Sequence, residues 1–248
     1  MILWLAGTGG ELSITTMQAL WTRFSIPGRL AEHLRRLEAK GSISIHGDGR
    51  IDKRVLRLTE DGNRAAQCGI DPPAAWSRGW DGCWRIVAFD IPESAKALRA
   101  RLRRRLHEHR FGWLQNSVWI SPDPIDDFRA KLDEKNTLPD SLTFLKATTA
   151  GGESSAAMVA AAWDFHDLAK RHAAYLDILR LRPGRTRGFD SWFQWLATEQ
   201  KAWRRIATLD PFLPKELNPP EYAGPSVWKA RREAMDDFRS ATNKALPT

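Results

Sequence analysis

Two short stretches that disfavour helices and strands divide this sequence into three segments. They are residues 69–73, with two consecutive prolines, and residues 148–155, with two adjacent glycines and several small polar side chains. Clusters of this composition are typical of connections between folded regions. The 248 residues suffice for one large domain or for two to three small ones. We therefore predict domains over residues 1–68, 78–148 and 153–248.

The first segment carries the pattern of two helices joined by a tight turn. Apolar residues recur at helical spacing from Met17 to Phe24, which predicts a short amphipathic helix. A second helix is predicted from Pro27 to Lys40, because proline fits the first turn of a helix and three leucines then line one face. Gly41 is expected to end it, since glycine readily adopts the left-handed backbone that follows many helices.

A β-hairpin is predicted after the second helix. Apolar and polar residues alternate over residues 42–46, a glycine-rich turn follows at 47–49, and a second extended run passes through 55–58. Residues 59–62 then cap a further short helix. Helix, turn, helix and hairpin in this order predict a winged helix-turn-helix, whose second helix enters the major groove of double-stranded DNA.

The leucine stripe leaves the opposite face of the second helix available to DNA. The predicted contacts on and around this face are Pro27, Gly28, Arg29, Glu32, His33, Arg36 and Lys40. Arg29 and Arg36 can each form paired hydrogen bonds to guanine, whereas Lys40 suits a phosphate. The hairpin adds side chains for the phosphate backbone or the minor groove: His46, Arg50, Lys53 and Arg54. The alternative is a solvated helix face in a winged helix that contacts protein.

Net charge does not locate this DNA-binding surface. The chain carries +8 at pH 7, which suits a polyanionic partner. However, basic residues exceed acidic ones by three in each of residues 1–66, 78–148 and 149–248. The predicted interface therefore depends on the helix and hairpin pattern alone.

The second segment alternates strands and helices in the order β-α-β-β-α-β, which is typical of a ferredoxin-like domain. The predicted elements are strand 84–89, a helix with leucines at 98, 102 and 106, strands 111–114 and 117–120, helix 125–132 and strand 142–147. The third segment predicts three helices, over residues 156–179, 189–209 and 226 to about 245, with a proline-rich connector at 210–220. The fold class is thus α+β with several domains, the last mostly α-helical.

Several function classes find no support in the sequence. No apolar run approaches the roughly 20 residues of a membrane span, and residues 1–6 are too short for a signal peptide, so a cytoplasmic protein is expected. Cys68 and Cys83 form no C-x-x-C pair, which disfavours a disulfide framework or a structural zinc. The common phosphate-binding, serine-hydrolase and zinc-protease motifs do not occur, so we expect neither an enzyme nor a bound cofactor.

Three blocks of residues resemble the PaaX family of transcriptional regulators. The first block is residues 80–93, WDGCWRIVAFDIPE, and the second combines residues 111–114, FGWL, with 118–122, VWISP. The third is the spacing D-P-x-x-P-x-x-L-x-P over residues 210–219. With the predicted N-terminal winged helix, the resemblance extends over almost the whole chain. Asn218 and Tyr222 depart from it, because the family tends to carry leucine and tryptophan at these positions.

The resemblance implies a homodimeric repressor of a catabolic operon, as in phenylacetate degradation. The family pairs a winged helix with a ferredoxin-like middle domain, and it releases a palindromic operator when an aryl-acyl-CoA effector binds. For this effector we predict a site in the third segment, with basic side chains for the phosphates and indoles for the apolar part: Arg180, Arg182, Arg185, Arg187, Trp192 and Trp195. Tryptophans at helical spacing are also typical of a core, which is the alternative.

Two alternative functions stay open. The middle domain also resembles the small CRISPR-adaptation nuclease, which carries a metal-binding carboxylate at the position of Asp90. Here only Asp81 and Glu93 are acidic neighbours, at no distinctive spacing, and Asp90 can equally cap the following turn. The other alternative is a nucleic-acid-binding accessory protein without sequence specificity. The arginine run of residues 99–105 can serve such binding or can be the solvated face of an amphipathic helix.

Overall fold

The computed structural model describes residues 12–23, 29–47, 53–66, 68–125, 142–184 and 187–242. The chain divides into two compact units. The first combines Met1–Asp71, Tyr175–Arg204 and Val227–Thr248, and the second combines Pro72–Ala174 and Arg205–Ser226. The helices of the third predicted segment are therefore shared between the two units.

Helices and a small antiparallel sheet form the N-terminal part of the first unit. The elements are β1 (Leu12–Ser13), α1 (Ile14–Arg23), α2 (Leu30–Ala39), β2 (Ile43–His46), β3 (Val55–Leu58) and α3 (Glu60–Ala66). Strand β3 pairs with both other strands, so the sheet order is β1-β3-β2. The three helices and the hairpin β2–β3 are those that the sequence predicts, and β1 is an addition to them.

Helix α2 is shorter than the predicted helix from Pro27 to Lys40. Arg29 has an extended backbone, with φ −88° and ψ 121°, and its carbonyl accepts the first helical hydrogen bonds. A residue in this conformation caps a helix from outside, so the helix begins at Leu30. At the other end Gly41 has the predicted left-handed backbone, with φ +66°.

A four-stranded antiparallel sheet is the centre of the second unit. The elements are α4 (Pro72–Ser77), β4 (Trp84–Phe89), a 3-10 turn (Glu93–Ala95), α5 (Lys96–Glu108), β5 (Gly112–Gln115), β6 (Val118–Ser121) and β7 (Leu142–Ala147). The strand order is β5-β6-β4-β7, so the first and third strands of the predicted β-α-β-β-α-β unit lie side by side in the middle of the sheet. Of the predicted helix 125–132, only Ile125 lies within the described residues.

Strand β4 supplies apolar side chains to both faces of this sheet. Val87 and Phe89 pack with Leu102 of α5 on one face. Trp84 packs with Val159 on the other face. Successive side chains of a strand point to opposite faces, so a strand that is covered on both sides needs apolar residues at nearly every position. This explains the nearly continuous apolar run over residues 84–89.

The remaining elements are helical. They are α6 (Ser155–Ala162), α7 (Phe165–Arg180), α8 (Phe189–Leu209), a 3-10 turn (Lys215–Leu217) and α9 (Gly224–Thr242). The prediction of a single helix over 156–179 is wrong, because the backbone of Trp163 is extended and the side chain of Asp164 caps a new helix by accepting from the Asp167 amide at 2.8 Å. None of the described helices is long and apolar enough to cross a membrane.

Candidate nucleic-acid interface

Helix α2 presents a basic face to solvent. Leu34 is buried, with 5% of its surface exposed, and this fixes which side of the helix faces inward. The predicted contacts on the other side are all exposed: Arg29, Glu32, Arg36 and Lys40. Arg36 lies 3.8 Å from Glu32 in an exposed ion pair, and such pairs contribute only about 0–1 kcal/mol. The guanidinium of Arg36 therefore remains available to a stronger anion.

His33 faces a different way from the prediction. Its ring lies 5.0 Å from the ring of Trp21 in α1, and its Nδ1 atom lies 3.2 Å from the carbonyl oxygen of Arg29. The side chain is thus half-buried against α1. Because His33 directly precedes Leu34, it lies at the edge of the apolar stripe, where a ring can pack inward.

The structure adds two exposed basic side chains that the sequence pattern did not single out. Arg35 follows Leu34 on α2, and Arg57 lies on β3 opposite Ser44. Arg57 could have been found from the alternation of the strand, because Leu56 is fully buried and its neighbours must face the other way. Arg35 offered no comparable signal, since it lies beside the stripe and not opposite it.

The hairpin also carries exposed basic side chains. His46, Lys53 and Arg54 are all exposed, and Nε2 of His46 lies 2.9 Å from the hydroxyl of Ser44. The predicted DNA contacts outside the described residues are Pro27, Gly28 and Arg50. Direct contact of any of these side chains with DNA stays a prediction.

Thr59 joins the end of α2, the hairpin and α3. Its hydroxyl donates to the carbonyl of Gly41 at 2.5 Å and accepts from the amide of Gly62 at 2.9 Å. Its amide donates to the carbonyl of Ser42 at 3.3 Å. A Cβ atom on Gly62 would lie 1.8 Å from the carbonyl oxygen of Ser42, so only glycine permits this approach. These contacts hold α2 and the hairpin in one arrangement.

The indoles predicted for an effector site lie in the core of the first unit. Trp192 and Trp195 are both buried. Their rings are 5.6 Å apart in an edge-to-face contact, and the Trp192 ring also packs on Phe238 of α9. Nε1 of Trp195 donates to the carbonyl of Ile178 at 2.9 Å. This arrangement is the core packing that the sequence left open as the alternative, and effector binding at these rings stays a prediction.

The arginines predicted for the same site differ in their surroundings. Arg180 pairs with Asp177 at 2.7 Å, and Arg182 pairs with Asp237 at 2.9 Å. The remaining two are Arg187, which is exposed, and Arg185, which lies outside the described residues. An anionic ligand would therefore have to compete with carboxylates for Arg180 and Arg182.

A buried ion pair in the same unit was not foreseen from the sequence. Glu199 of α8 is completely buried, and its Oε1 atom accepts from Nε of Arg231 at 2.8 Å and from the hydroxyl of Tyr175 at 2.5 Å. Burial raises the pKa of Tyr175 well above its usual range, and the charge of Glu199 adds to this effect. Burial alone would lower the pKa of Arg231, but the nearby Glu199 carboxylate reverses the direction and raises it. The guanidinium also lies 4.5 Å from the ring centroid of Trp203.

The third resemblance block begins with a polar junction in the second unit. Asp210 is buried, and its side chain accepts from the amide of Phe212 at 2.8 Å and from the hydroxyl of Tyr222 at 2.7 Å. Arg110 donates to the carbonyl of Asp210 at 2.8 Å and lies over the Phe212 ring. Nε1 of Trp76 donates to the Tyr222 hydroxyl at 3.0 Å. Burial, together with the charge of Asp210, raises the pKa of Tyr222 well above its usual range.

Asp90, the carboxylate considered for metal binding, is exposed at the end of β4. Asp81, one of the two acidic residues near it in the sequence, precedes β4 and is held by Arg85 at 2.6 Å and by Lys146 at 3.1 Å. The hydrogen-bonded Arg85 guanidinium holds the pKa of the Asp81 carboxyl well below its usual range. Within the described ranges, no three His, Cys, Asp or Glu side chains are grouped closely enough to share a metal ion.

The central segment matches a known family. Residues 77–159 match the family described as the PaaX protein central Cas2-like domain. The solved structure of Uncharacterized protein Rv0674 from Mycobacterium tuberculosis has a similar fold, with a TM-score of 0.63, 22% sequence identity, and coverage of 97% of this chain and 95% of that chain. No curated protein matches the sequence. The matched segment contains the first two residue blocks of the resemblance, so residues 77–159 are similar to the central domain of PaaX proteins.

Proposed function

We propose that this chain is a DNA-binding transcriptional regulator, with α1, α2 and the hairpin β2–β3 acting as a winged helix-turn-helix. The similarity of residues 77–159 to the central domain of PaaX proteins supports a role in transcription regulation. The observation that carries the proposal is the exposed basic face of α2 next to an exposed basic hairpin. Guanine edges and phosphates are the partners that arginine and lysine on such a surface favour.

Helix α2 is the proposed recognition helix. Arg36 is exposed on the helix, and Arg29 is exposed directly before its first turn, so both side chains are available to a partner. Each would donate two hydrogen bonds to O6 and N7 of a guanine in the major groove. Lys40 and the hairpin residues Lys53 and Arg54 would neutralise phosphates, which positions the helix without reading a base.

The more specific part of the proposal is a homodimeric repressor of a catabolic operon. Two chains would pair through the ferredoxin-like domain, so that two α2 helices meet half-sites about one helical turn apart. The family resemblance implies an aryl-acyl-CoA as effector. Its binding would shift the dimer toward an arrangement that no longer fits both half-sites.

Selection of bound sequences from a random double-stranded DNA pool tests the DNA-binding proposal with the full chain. We expect enrichment of an inverted repeat with half-sites about ten base pairs apart, centre to centre. We also expect the affinity for this site to fall steeply as the salt concentration rises. Binding without enrichment of any sequence would contradict a sequence-specific regulator and favour an accessory protein.

Two further measurements on the selected site address the dimer and the effector. Sedimentation of the complex should give two chains per inverted repeat, and one chain per site would contradict the dimeric arrangement. Phenylacetyl-CoA at saturating concentration should weaken the complex. An unchanged affinity would remove this effector class and leave DNA binding intact.

A further inference from the structure

A groove in the second compact unit has no role in the proposed function. Its volume is about 690 Å³, within the range of roughly 300–1,000 Å³ that is typical of small-molecule sites. It is lined by parts of α5 and β5, by α6 and its junction with α7, and by residues 216–221. All of these residues belong to the second unit.

The walls of the groove are held in place by their own packing. A Cβ atom on Gly112 would lie 2.5 Å from the indole of Trp163 and 2.7 Å from Ala162, so β5 can approach these side chains only with glycine. On the α7 side, the ring of Phe165 packs edge-on against Tyr222, which is itself bound to Asp210. The groove is therefore formed before any ligand arrives.

Aromatic surface lines the groove on two sides. Trp113 exposes 48% of its surface. Trp163 and Phe165 are half-buried and contribute further ring surface. Ala160 and Ala161 of α6 are exposed and small, so they leave the space between the rings open. A flat aromatic ligand can make use of these surfaces.

The charged groups of the groove are acidic. Asp164, Glu216 and Glu221 line it and are exposed, and none of its described lining residues is lysine or arginine. His107 adds no positive charge at neutral pH, because burial lowers the pKa of its ring and the charge of Arg103 lowers it further. The lining carboxylates therefore favour a cation over an anion on their side of the groove, whereas the Arg103 guanidinium lies 6.0 Å from the centroid of the Trp113 ring.

Asn218 gives an independent indication of a hydrogen-bond donor in the ligand. It lines the groove, and its Nδ2 atom donates to the carbonyl of Leu213 at 3.3 Å. Its Oδ1 atom is buried and accepts no hydrogen bond from the described residues. A buried acceptor without a donor costs about 1–3 kcal/mol. The PaaX resemblance would place leucine here, so this acceptor distinguishes the present chain.

We propose that this groove binds an arylalkylamine, that is, an aromatic ring joined by a short chain to a protonated amino group. The ring would stack on Trp113 and Trp163, and the ammonium group would meet Glu216 and Glu221. An acyl-CoA fits this groove poorly, because its phosphates would face carboxylates. Binding in the groove goes beyond the proposed function and does not depend on it, whereas any effect of the amine on DNA affinity does.

Calorimetric titration of the full chain with 2-phenylethylamine tests the proposal, in phosphate buffer at pH 7 and without DNA. Phenylacetate is the matched ligand, because it keeps the ring and reverses the charge. We expect one amine per chain, and binding of phenylacetate at least about tenfold weaker. Equal or tighter binding of phenylacetate or phenylacetyl-CoA in the same groove would overturn the proposal, as would no detectable binding of the amine.

Variants show whether the amine occupies this groove. The double variant Glu216→Gln/Glu221→Gln should weaken amine binding about tenfold, and Asn218→Leu should weaken it severalfold. Ala161→Phe fills the groove from an exposed position and should abolish binding. Glu233→Gln, at an exposed site on α9, is the matched control and should leave affinity unchanged. Amine binding that survives both the double variant and Ala161→Phe, in chains with an unchanged circular dichroism spectrum, would refute the assignment.

Discussion

Helix α2 and the helical core around α9 hold arginine in opposite ways. Arg36 of α2 leaves 58% of its side chain exposed and lies 3.8 Å from its nearest carboxylate. Arg231 of α9 leaves 3% exposed, pairs with Glu199 at 2.8 Å and stacks on Trp203. Both residues add one unit to the net charge. Only the first has a charge that a new partner can use, because the second is already neutralised where water cannot reach it.

The contrast explains why charge counts did not locate the proposed DNA-binding surface. An isolated charge in a protein interior is so costly that a buried arginine must be paired. An exposed arginine pays no such cost and can remain weakly paired until an anion arrives. The availability of a positive charge is thus a property of its surroundings.

Glu199→Ala should destabilise the fold most, by about 3–5 kcal/mol, because it leaves the buried Arg231 guanidinium without its carboxylate. Urea denaturation measures the loss. Asp236→Ala is the matched control, since it removes an exposed partner of Arg239 at 3.1 Å and should cost less than about 0.5 kcal/mol. Similar losses of unfolding free energy in the two variants would contradict the difference between buried and exposed arginines.

Arg29→Ala and Arg36→Ala should each cost about 1–3 kcal/mol of binding to the selected DNA site, if these side chains read guanine. Titration of labelled DNA gives the affinity, and the free energy of unfolding should stay unchanged. Arg64→Ala, an exposed arginine of α3 that pairs with Glu60 and Asp61, is the control. A loss that is equal for all DNA sequences, with a shallower salt dependence, would make these residues phosphate contacts instead.

Asp81→Asn tests a case between the two extremes, because Arg85 is buried but its partner Asp81 is exposed. The pKa of Asp81 is lowered in the folded state by its hydrogen bonds to Arg85, so the ion pair stabilises the fold fully above the unfolded-state pKa of about 4. That stabilisation is lost as the pH falls through the folded-state pKa. The difference in melting temperature between wild type and variant should therefore shrink below about pH 4. A difference that persists unchanged to pH 2 would rule out the ion pair as its source.

Arg104→Ala should have the smallest effect. Arg104 is exposed on α5, and Arg36 is exposed on α2, but Arg104 lies in the ferredoxin-like domain and not on the proposed winged helix. Affinity for the selected DNA site should change by less than about 0.5 kcal/mol. A loss comparable to that of Arg36→Ala, or a decrease of about one in the salt slope, would identify α5 as a second nucleic-acid surface.

Elements with a strong local pattern were predicted to the residue. Strand β4 and helix α8 have the predicted bounds of 84–89 and 189–209, because a continuous apolar run and a helical repeat each depend only on neighbouring residues. The break between α6 and α7 was not predicted from the sequence. The apolar pattern continues through Trp163, and a single aspartate side chain, Asp164, decides that a new helix begins.

In the same way, the exposed side chains of the candidate interface could be predicted where the helical repeat of apolar residues is clear. Exposure of Arg36 follows from the leucine stripe alone, and Arg29 and Lys40 are exposed at the two ends of the helix. The inward orientation of the His33 side chain does not follow from this stripe, because it depends on Trp21, which lies on another helix.

Local patterns in the sequence were enough to establish the order of the elements, the basic face of α2 and the resemblance to the PaaX family. The order of the elements and the basic face depend on residues that are close together along the chain, and each block of the resemblance is itself a short stretch. Only the tertiary structure decided which arginines are buried and where a groove forms. Glu199 and Arg231 are 32 positions apart, and the groove combines α6 with residues 216–221. Such pairings arise from the packing of separate elements, and no local period encodes them.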